Sequence, residues 1–275
     1  SQQLLKSTEI IESFMIAANI EVGKALLDKE LPVLLRTLIG PNNSNIKNLN
    51  ARLEEFDIQP LRGPFDYRRL VRDINKNPLK DYLTLQTLRS IGKAIYEPNQ
   101  SGHFCFGPKV KTYCHFTAPI RRYPDLVVHR ILESVFENTV SPYSYEDLIL
   151  EGLVSSKREL DAQHAEMDSN KLMKSMWAEN QIGNSFDGEI FDITESSIIV
   201  KLDNKVELSV PYNNLVHNSQ IKVNESKTVV KAGSYVYKIG DKMRVSILSA
   251  DRVSKNIVAK EDRYKENVSS CEKEM

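Results

Sequence analysis

The chain has 275 residues, which is enough for more than one folded unit. Its 37 basic and 37 acidic residues balance, so any nucleic-acid surface must come from local clustering rather than from a global field. Cys105, Cys114 and Cys271 form an odd set without CxxC spacing, which is evidence against a disulfide framework and a zinc site. No apolar run approaches the ~20 residues of a membrane span, and no secretory signal is recognisable, so we expect a soluble, cytoplasmic protein.

Helical periodicity dominates the first two thirds of the chain, where apolar residues recur at intervals of three and four. One segment, 98–119, breaks this pattern with glycine and proline and is expected to be irregular and close to a functional surface. Together these signals predict a mainly helical domain over residues 1–180. The predicted helices cover about residues 8–29, 45–56, 66–76, 79–96, 124–137 and 145–177.

At about residue 182 the period changes from helical to strand-like. Five short β-rich runs follow, separated by turn residues, and five is the number of strands in an OB-type barrel. We therefore predict a five-stranded antiparallel OB-type barrel over residues 181–262 and a polar tail over 263–275, giving an α+β fold class. The runs are SFDGEIFDI, SSIIVKL, KVELSV, MRVSILSA and NIVAK.

The segment HFTAPIRRYPDLVVHR has the most distinctive chemistry in the chain. Arg121 and Arg122 precede a predicted helix start, where free backbone amides and the helix dipole already favour an anion. Arginine offers permanently charged, bidentate donors to phosphate oxygens. Nearby His115, Phe116 and Tyr123 provide hydrogen bonds and ring faces on which bases or riboses could stack. This combination suits single-stranded nucleic acid.

A purely structural interpretation of the same residues is also open. Phe116 and Tyr123 could belong to the core, and Arg122 and Arg130 could pair with acids such as Asp125 or Glu133. Composition alone does not separate the two interpretations.

The order of residues in HFTAPIRRYPDLVVHR resembles the RNB family of exoribonucleases, of the ribonuclease II and ribonuclease R type, almost letter by letter. Ala118 stands where serine is common. STEIIESFMIAAN (7–19) and GHFCFG (102–107) resemble further parts of the RNB domain, and GNSFDGEI (183–190) resembles the opening of the S1-type OB domain. The resemblance covers about residues 7–262 and implies the C-terminal helical half of an RNB domain followed by an S1-like barrel.

The resemblance implies processive 3′-to-5′ hydrolysis of single-stranded RNA to nucleoside monophosphates with magnesium. The first arginine of the family motif corresponds to Arg121, whose role would be to stabilise negative charge on the phosphoryl oxygens. Ser196 and Ser197 replace a Phe-Gly pair that is common in the barrel and that provides a stacking platform. The candidate substitutes, each of which equally fits barrel core or ordinary surface, are Phe191, Tyr212, His217 and Lys201. The RNA-contact candidates are Arg122, Tyr123, His115 and Phe116 in the motif and Phe191 and Lys201 in the barrel.

The family's cluster of metal-binding aspartates has no counterpart here. Hard cations require converging carboxylates, whereas the acidic residues of this chain have the spacing of helix surfaces, so no metal ligand is assigned. Magnesium is expected on the N-terminal half of the RNB domain, which becomes a possible partner beside RNA, and the isolated chain is expected to be inactive. A non-catalytic RNA-binding or scaffold protein with the RNB fold, and an inactive folding remnant, are the alternatives.

Overall fold

The computed structural model describes residues 6–63, 66–99, 101–106 and 110–262. They divide into two compact units, drawn from Ser1–Asn45 with Leu88–His164 and from Ile46–Thr87 with Ala165–Met275. The helices are α1 (Lys6–Leu27), α2 (Asn43–Glu54), α3 (Tyr67–Ile74), α4 (Lys80–Ile91), α5 (Tyr123–Phe136) and α6 (Tyr145–Glu179). The strands are β1 (Leu35–Thr37), β2 (Ile95–Glu97), β3 (Ser185–Ile193), β4 (Ser197–Leu202), β5 (Glu207–Pro211), β6 (Ile221–Val223), β7 (Val229–Ala232), β8 (Tyr235–Lys238), β9 (Lys242–Ala250) and β10 (Ile257–Glu261).

In the first unit, α1, α5 and the beginning of α6 surround a short antiparallel ribbon of β1 and β2. Their apolar stripes meet in a core that includes the fully buried Leu26, Val128 and Leu148. Two glycines permit close approach: a Cβ at Gly23 would lie 2.0 Å from the Thr112 carbonyl oxygen, and one at Gly152 would lie 2.4 Å from that of Tyr96. Helices α1 and α6 therefore pack directly on backbone.

Helix α4 ends at Ile91, five residues earlier than the sequence predicts. Gly92 follows with φ of +89°, the left-handed conformation that terminates helices. The chain then extends, and Ile95 and Tyr96, predicted to be helical, lie in β2 instead.

In the second unit, β3, β4, β5, β9 and β10 form a closed barrel in the order β10-β5-β4-β3-β9. The OB-type barrel is confirmed, but its description as antiparallel is wrong for one pair, because β10 and β5 are parallel at Val258 and Ser209. Directions cannot alternate around a closed ring with an odd number of strands, so at least one neighbouring pair must be parallel. Val200, Leu208 and Val245 are fully buried within this unit.

A second sheet in this unit, with the order β6-β7-β8, lies between β5 and β9 in the sequence and is not predicted by the periodicity. Its strands have only three or four residues each, too short for alternation to be recognised. The polar tail predicted over 263–275 lies outside the described residues. Among the residues that are described, no helix combines the length and apolar character needed to cross a membrane.

Candidate nucleic-acid interface at the arginine motif

Helix α1 aligns the segment that enters the arginine motif. Asn19, which is 3% exposed, accepts the Phe116 N–H on its Oδ1 at 3.0 Å, and its carbonyl oxygen accepts the Cys114 N–H at 3.3 Å. The Thr112 hydroxyl donates to the Ile20 carbonyl oxygen at 3.3 Å. Since buried polar groups hold their geometry through such bonds, residues 112–116 have a fixed path along the helix.

The motif itself is a tight turn in front of α5. The backbone N–H groups of Arg121 and Arg122 both donate to the Ala118 carbonyl oxygen at 3.2 Å. Asp125, fully buried in the first turn of α5, accepts the Ala118 N–H at 2.8 Å and Arg122 Nη2 at 2.7 Å. One carboxylate thus fixes both ends of the turn, and the tip between them is left exposed, with Ile120 at 97%.

Arg121 and Arg122 have opposite environments on this turn. Arg122 is half-buried and its guanidinium is engaged by Asp125, as the structural interpretation proposed. Arg121 is exposed and makes no ion pair with any residue that the structure describes. Arg121 is therefore the motif guanidinium that is available to an external anion.

The two aromatic candidates of the motif, Phe116 and Tyr123, also differ in how far other protein groups cover them. Phe116 stacks on His129 at 4.1 Å and 10°, and its carbonyl oxygen lies 2.9 Å from His129 Nε2, so that nitrogen carries a proton. One face of Phe116 is thereby occupied. Tyr123 is exposed, with the Arg130 guanidinium 6.0 Å from its ring centroid and its hydroxyl 3.4 Å from Glu151. Arg130 also donates to the Tyr143 hydroxyl at 2.7 Å, rather than pairing with Glu133.

His115 lies in a half-buried aromatic cluster behind the turn. Its Nδ1 is 2.8 Å from the Tyr96 hydroxyl, and the Arg36 guanidinium lies 4.4 Å from the Tyr96 ring centroid. Arg36 in turn makes a bidentate pair with Glu159, at 2.6 and 3.0 Å. Burial raises the pKa of Tyr96 to about 12, so the tyrosine keeps its proton at neutral pH.

Arg36, Glu159 and Asn19 are residues of this region that sequence reasoning missed. Arg36 interrupts the apolar run LPVLLRTL, and Asn19 is a polar residue on the buried side of an apolar helix. An unexpected polar residue in an apolar stretch is the signal that could have indicated Arg36 and Asn19; Glu159, in the charged segment KRELD, carries no such signal. Their partners are up to 123 positions away, so spacing could not supply the contacts.

Acid is expected to destabilise the first unit through its half-buried histidines. Burial, together with nearby arginines, lowers the pKa of His115 to about 3 and that of His103 to about 4, from 6.5. Between the lowered pKa values of the folded protein and the ordinary value of 6.5, the unfolded chain binds more protons than the folded one. The free energy of unfolding therefore falls as the pH drops below about 6.5. Urea unfolding as a function of pH should show this loss, and His115→Gln should reduce it. An equal reduction in the exposed His164→Gln control would contradict the assignment.

The barrel candidates are brought together, but they contact each other. Lys201 Nζ lies 4.3 Å from the centroid of the Phe191 ring and 3.7 Å from an Asp81 carboxylate oxygen. The rings of Tyr82 and Phe191 pack nearly perpendicular to each other, with their centroids 6.5 Å apart. Phe191 and Lys201 are thus already engaged within their unit.

The two weaker barrel candidates are engaged as well. The Tyr212 hydroxyl donates to the Thr194 carbonyl oxygen at 2.5 Å, and burial raises the Tyr212 pKa to about 12. His217 stacks on Tyr235 at 4.5 Å, while Tyr235 remains 46% exposed.

The donor groups of the arginine motif do not fit a hard cation. The exposed groups there are guanidiniums, and the buried carboxylate of Asp125 faces Arg122. Within the described ranges, no three His, Cys, Asp or Glu side chains are grouped so that they could hold a metal ion. Of the two cysteines described, Cys105 is exposed and Cys114 is buried, and both are free.

Two known family models match the parts of the chain that form the helical region and the barrel. The family model described as RNB domain matches residues 1–138, and the model described as S1 RNA binding domain matches residues 179–260. The chain belongs to the RNB family, and its barrel is the S1 domain that the sequence resemblance predicted.

Individual relatives agree with this assignment. Ribonuclease R of Aquifex aeolicus (strain VF5) is 31% identical over 269 residues, which cover 93% of this chain and 38% of the relative. Mycoplasma genitalium RNase R, at 24% identity over 94% of this chain and 42% of its own, superimposes with a TM-score of 0.83 in its apo form. The same enzyme in complex with ribose-methylated single-stranded RNA gives 0.82.

A more distant structure has the same fold. Yeast Ssd1, described as a pseudonuclease, is 20% identical with a TM-score of 0.62, over 81% of this chain and 29% of its own. The chain therefore spans less than half the length of these relatives, and these similarities establish the fold.

Proposed function

We propose that this chain is part of a processive 3′-to-5′ exoribonuclease that degrades single-stranded RNA to nucleoside monophosphates, and that it supplies phosphate and RNA contacts. The observation that carries the proposal is the exposed Arg121 on a turn held by the buried Asp125. The family assignment, the ribonuclease R relatives and the RNA-bound structure of one of them support it.

In this proposal Arg121 contacts the phosphate at which hydrolysis occurs. Negative charge builds on the phosphoryl oxygens during attack by water, and a guanidinium presented from an already formed turn stabilises that charge without rearrangement of the backbone. The hydrogen bonds that the Asp125 carboxylate and the Ala118 carbonyl oxygen accept hold the backbone of this turn. Arg121 is accordingly the candidate catalytic residue.

The remaining motif residues stay candidates for RNA contact, with different geometries. Tyr123 offers an exposed ring with the Arg130 guanidinium over one face, and a base would stack on the opposite face. Arg122, His115 and Phe116 have part of their surface covered by protein, so an RNA contact would use their remaining exposed atoms.

We also propose a role for each part of the chain. Residues 1–180 would form the C-terminal portion of the RNB domain, 181–262 the S1-type RNA-binding domain and 263–275 a tail. The magnesium that the family resemblance implies would bind carboxylates in the remainder of the RNB domain, since the described residues of this chain do not fit it. That remainder is the protein partner that we propose.

Activity should therefore depend on the remainder of the RNB domain. The isolated chain, incubated with magnesium and 5′-labelled single-stranded RNA, is expected to leave the RNA intact. A protein containing the complete RNB domain and this chain should shorten the labelled RNA stepwise from its 3′ end to a short limit product. Discrete internal cuts by the complete protein would contradict the proposal.

A non-catalytic RNA-binding protein is the second candidate. It would follow if the remainder of the RNB domain also lacked a carboxylate cluster, as the described residues of this chain do. Salt-dependent RNA binding by the complete protein, without degradation in magnesium, would establish this alternative.

A further inference from the structure

The three-stranded sheet of β6, β7 and β8 has a basic face that the proposed active site does not use. Lys222 lies directly opposite Lys231 in the β6–β7 register, and Lys231 lies opposite Val236 in β8. Because side chains alternate between the faces of a sheet, Lys238, two residues beyond Val236, points to the same side. Lys222, Lys231 and Lys238 are all exposed, and we call this surface the lysine face.

The orientation of the sheet is fixed from its other side. Val230 and Ala232 of β7 are buried, and the buried Tyr237 of β8 donates its hydroxyl to Glu261 Oε2 on β10 at 2.7 Å. Asn224 Oδ1 accepts the backbone N–H groups of Thr228 and Val229 at 2.8 and 3.0 Å, which holds the β6–β7 turn. The lysine face is therefore held towards solvent.

The lysine face concentrates positive charge in a chain whose net charge is zero. Residues 221–238 contain four lysines and one acid, Glu225. The fourth lysine, Lys227, pairs with Glu195 at 3.0 Å, whereas no described residue forms an ion pair with the three lysines of the face. Like charges directly opposite each other destabilise a sheet, so an external anion would relieve a repulsion built into the fold.

We propose that the lysine face binds the phosphate backbone of single-stranded RNA. This inference rests on the proposed function and extends the RNA path to a sheet outside the five-stranded barrel. A row of flexible ammonium groups with no unoccupied aromatic platform among them contacts phosphates rather than base edges. The contact should be independent of base sequence and strongly dependent on salt.

The test is a binding titration with the 275-residue chain in EDTA, so that hydrolysis plays no part. The probe is a fluorescein-labelled uridine oligonucleotide longer than the ~4 to 16 nucleotides that one OB-fold covers. The variant carries Lys222→Gln, Lys231→Gln and Lys238→Gln, which remove the charge and leave a polar, flexible side chain at each position. The matched control carries Lys47→Gln, Lys171→Gln and Lys260→Gln, which are exposed lysines of the same unit.

Removing three phosphate contacts should make the slope of log affinity against log salt shallower by about 2. Affinity at ~0.1 M salt should fall roughly 100-fold, and the control should keep most of both quantities. The unfolding midpoint of the variant should equal or exceed that of the wild type, because a like-charge repulsion is removed.

The inference would be overturned if the wild type did not bind RNA, or if the variant kept the wild-type salt slope. It would also be overturned if the control lost as much affinity as the variant, or if polyglutamate displaced RNA as effectively as unlabelled RNA does. The last would assign the face to an acidic protein partner. The assay is independent of catalysis, so the inference can fail while the nuclease proposal stands. Conversely, an inactive enzyme would leave the expected salt slope unaffected.

Discussion

Asp125→Ala is expected to lower the free energy of unfolding by roughly 3 kcal/mol, the lower end of the range for breaking a buried ion pair. Asp125 is fully buried, and its removal leaves the Arg122 guanidinium and the Ala118 N–H without their acceptor. Arg122 keeps 20% of its side chain exposed and can recover some hydration, which limits the loss. Urea unfolding of the wild type and the variant measures the difference.

Two further variants separate the causes of this loss. Asp125→Asn retains an oxygen for the Ala118 N–H but not the charge opposite Arg122, so its loss should be smaller. Asp161→Ala breaks an exposed pair with Arg158, at 3.5 Å, and should change stability by less than ~1 kcal/mol. If Asp125→Ala were no more destabilising than Asp161→Ala, the carboxylate would not hold the turn.

Arg121→Ala, in a protein with the complete RNB domain, is expected to reduce kcat about 100- to 1000-fold. This corresponds to the ~2.7 to 4 kcal/mol that one preorganised donor contributes to a transition state. The RNA Kd should change much less, because the lysine face and other cations also contribute to ground-state binding. Single-turnover degradation and equilibrium binding with the same labelled RNA measure the two quantities.

Arg158→Ala is the matched control, since it removes an exposed arginine from the same unit. Arg121→Lys should give an intermediate rate, because an ammonium retains the charge but not the bidentate geometry. An Arg121→Ala enzyme with wild-type kcat, or one whose whole defect lies in Kd, would remove Arg121 from the chemistry.

The spacing of apolar residues was sufficient to predict most of the helices and the five barrel strands. The stripe of Val128, Ile131 and Val135 predicts α5, and Pro124 marks its first turn, as observed. The strand-like runs from residue 185 onward correspond to β3, β4, β5, β9 and β10. These elements are predictable because one face of each is buried, which imposes its period on the sequence.

Elements and contacts that depend on distant partners were not predictable in this way. Strands β1 and β2 have three residues each and exist because they pair with each other across the fold. The Arg36–Glu159 pair joins positions 123 residues apart. Phe191 and Lys201 suggested an RNA platform in sequence, whereas in the structure each is engaged by the other.

The arginine motif contains both a feature that the sequence predicts and one that depends on the fold. Its composition predicted a phosphate clamp of two arginines, and only the structure separates the exposed Arg121 from Arg122, whose charge is paired. That distinction depends on the burial of Asp125, which a three-residue spacing alone does not reveal.

The most direct test of the central claim is a structure of the complete enzyme bound to single-stranded RNA with a non-hydrolysable terminal linkage. The Arg121 guanidinium should lie ~2.7 to 2.9 Å from oxygens of the phosphate nearest the RNA 3′ end, on a turn still held by Asp125. Arg121 paired with a protein carboxylate instead, with no RNA phosphate within hydrogen-bonding distance, would contradict the account.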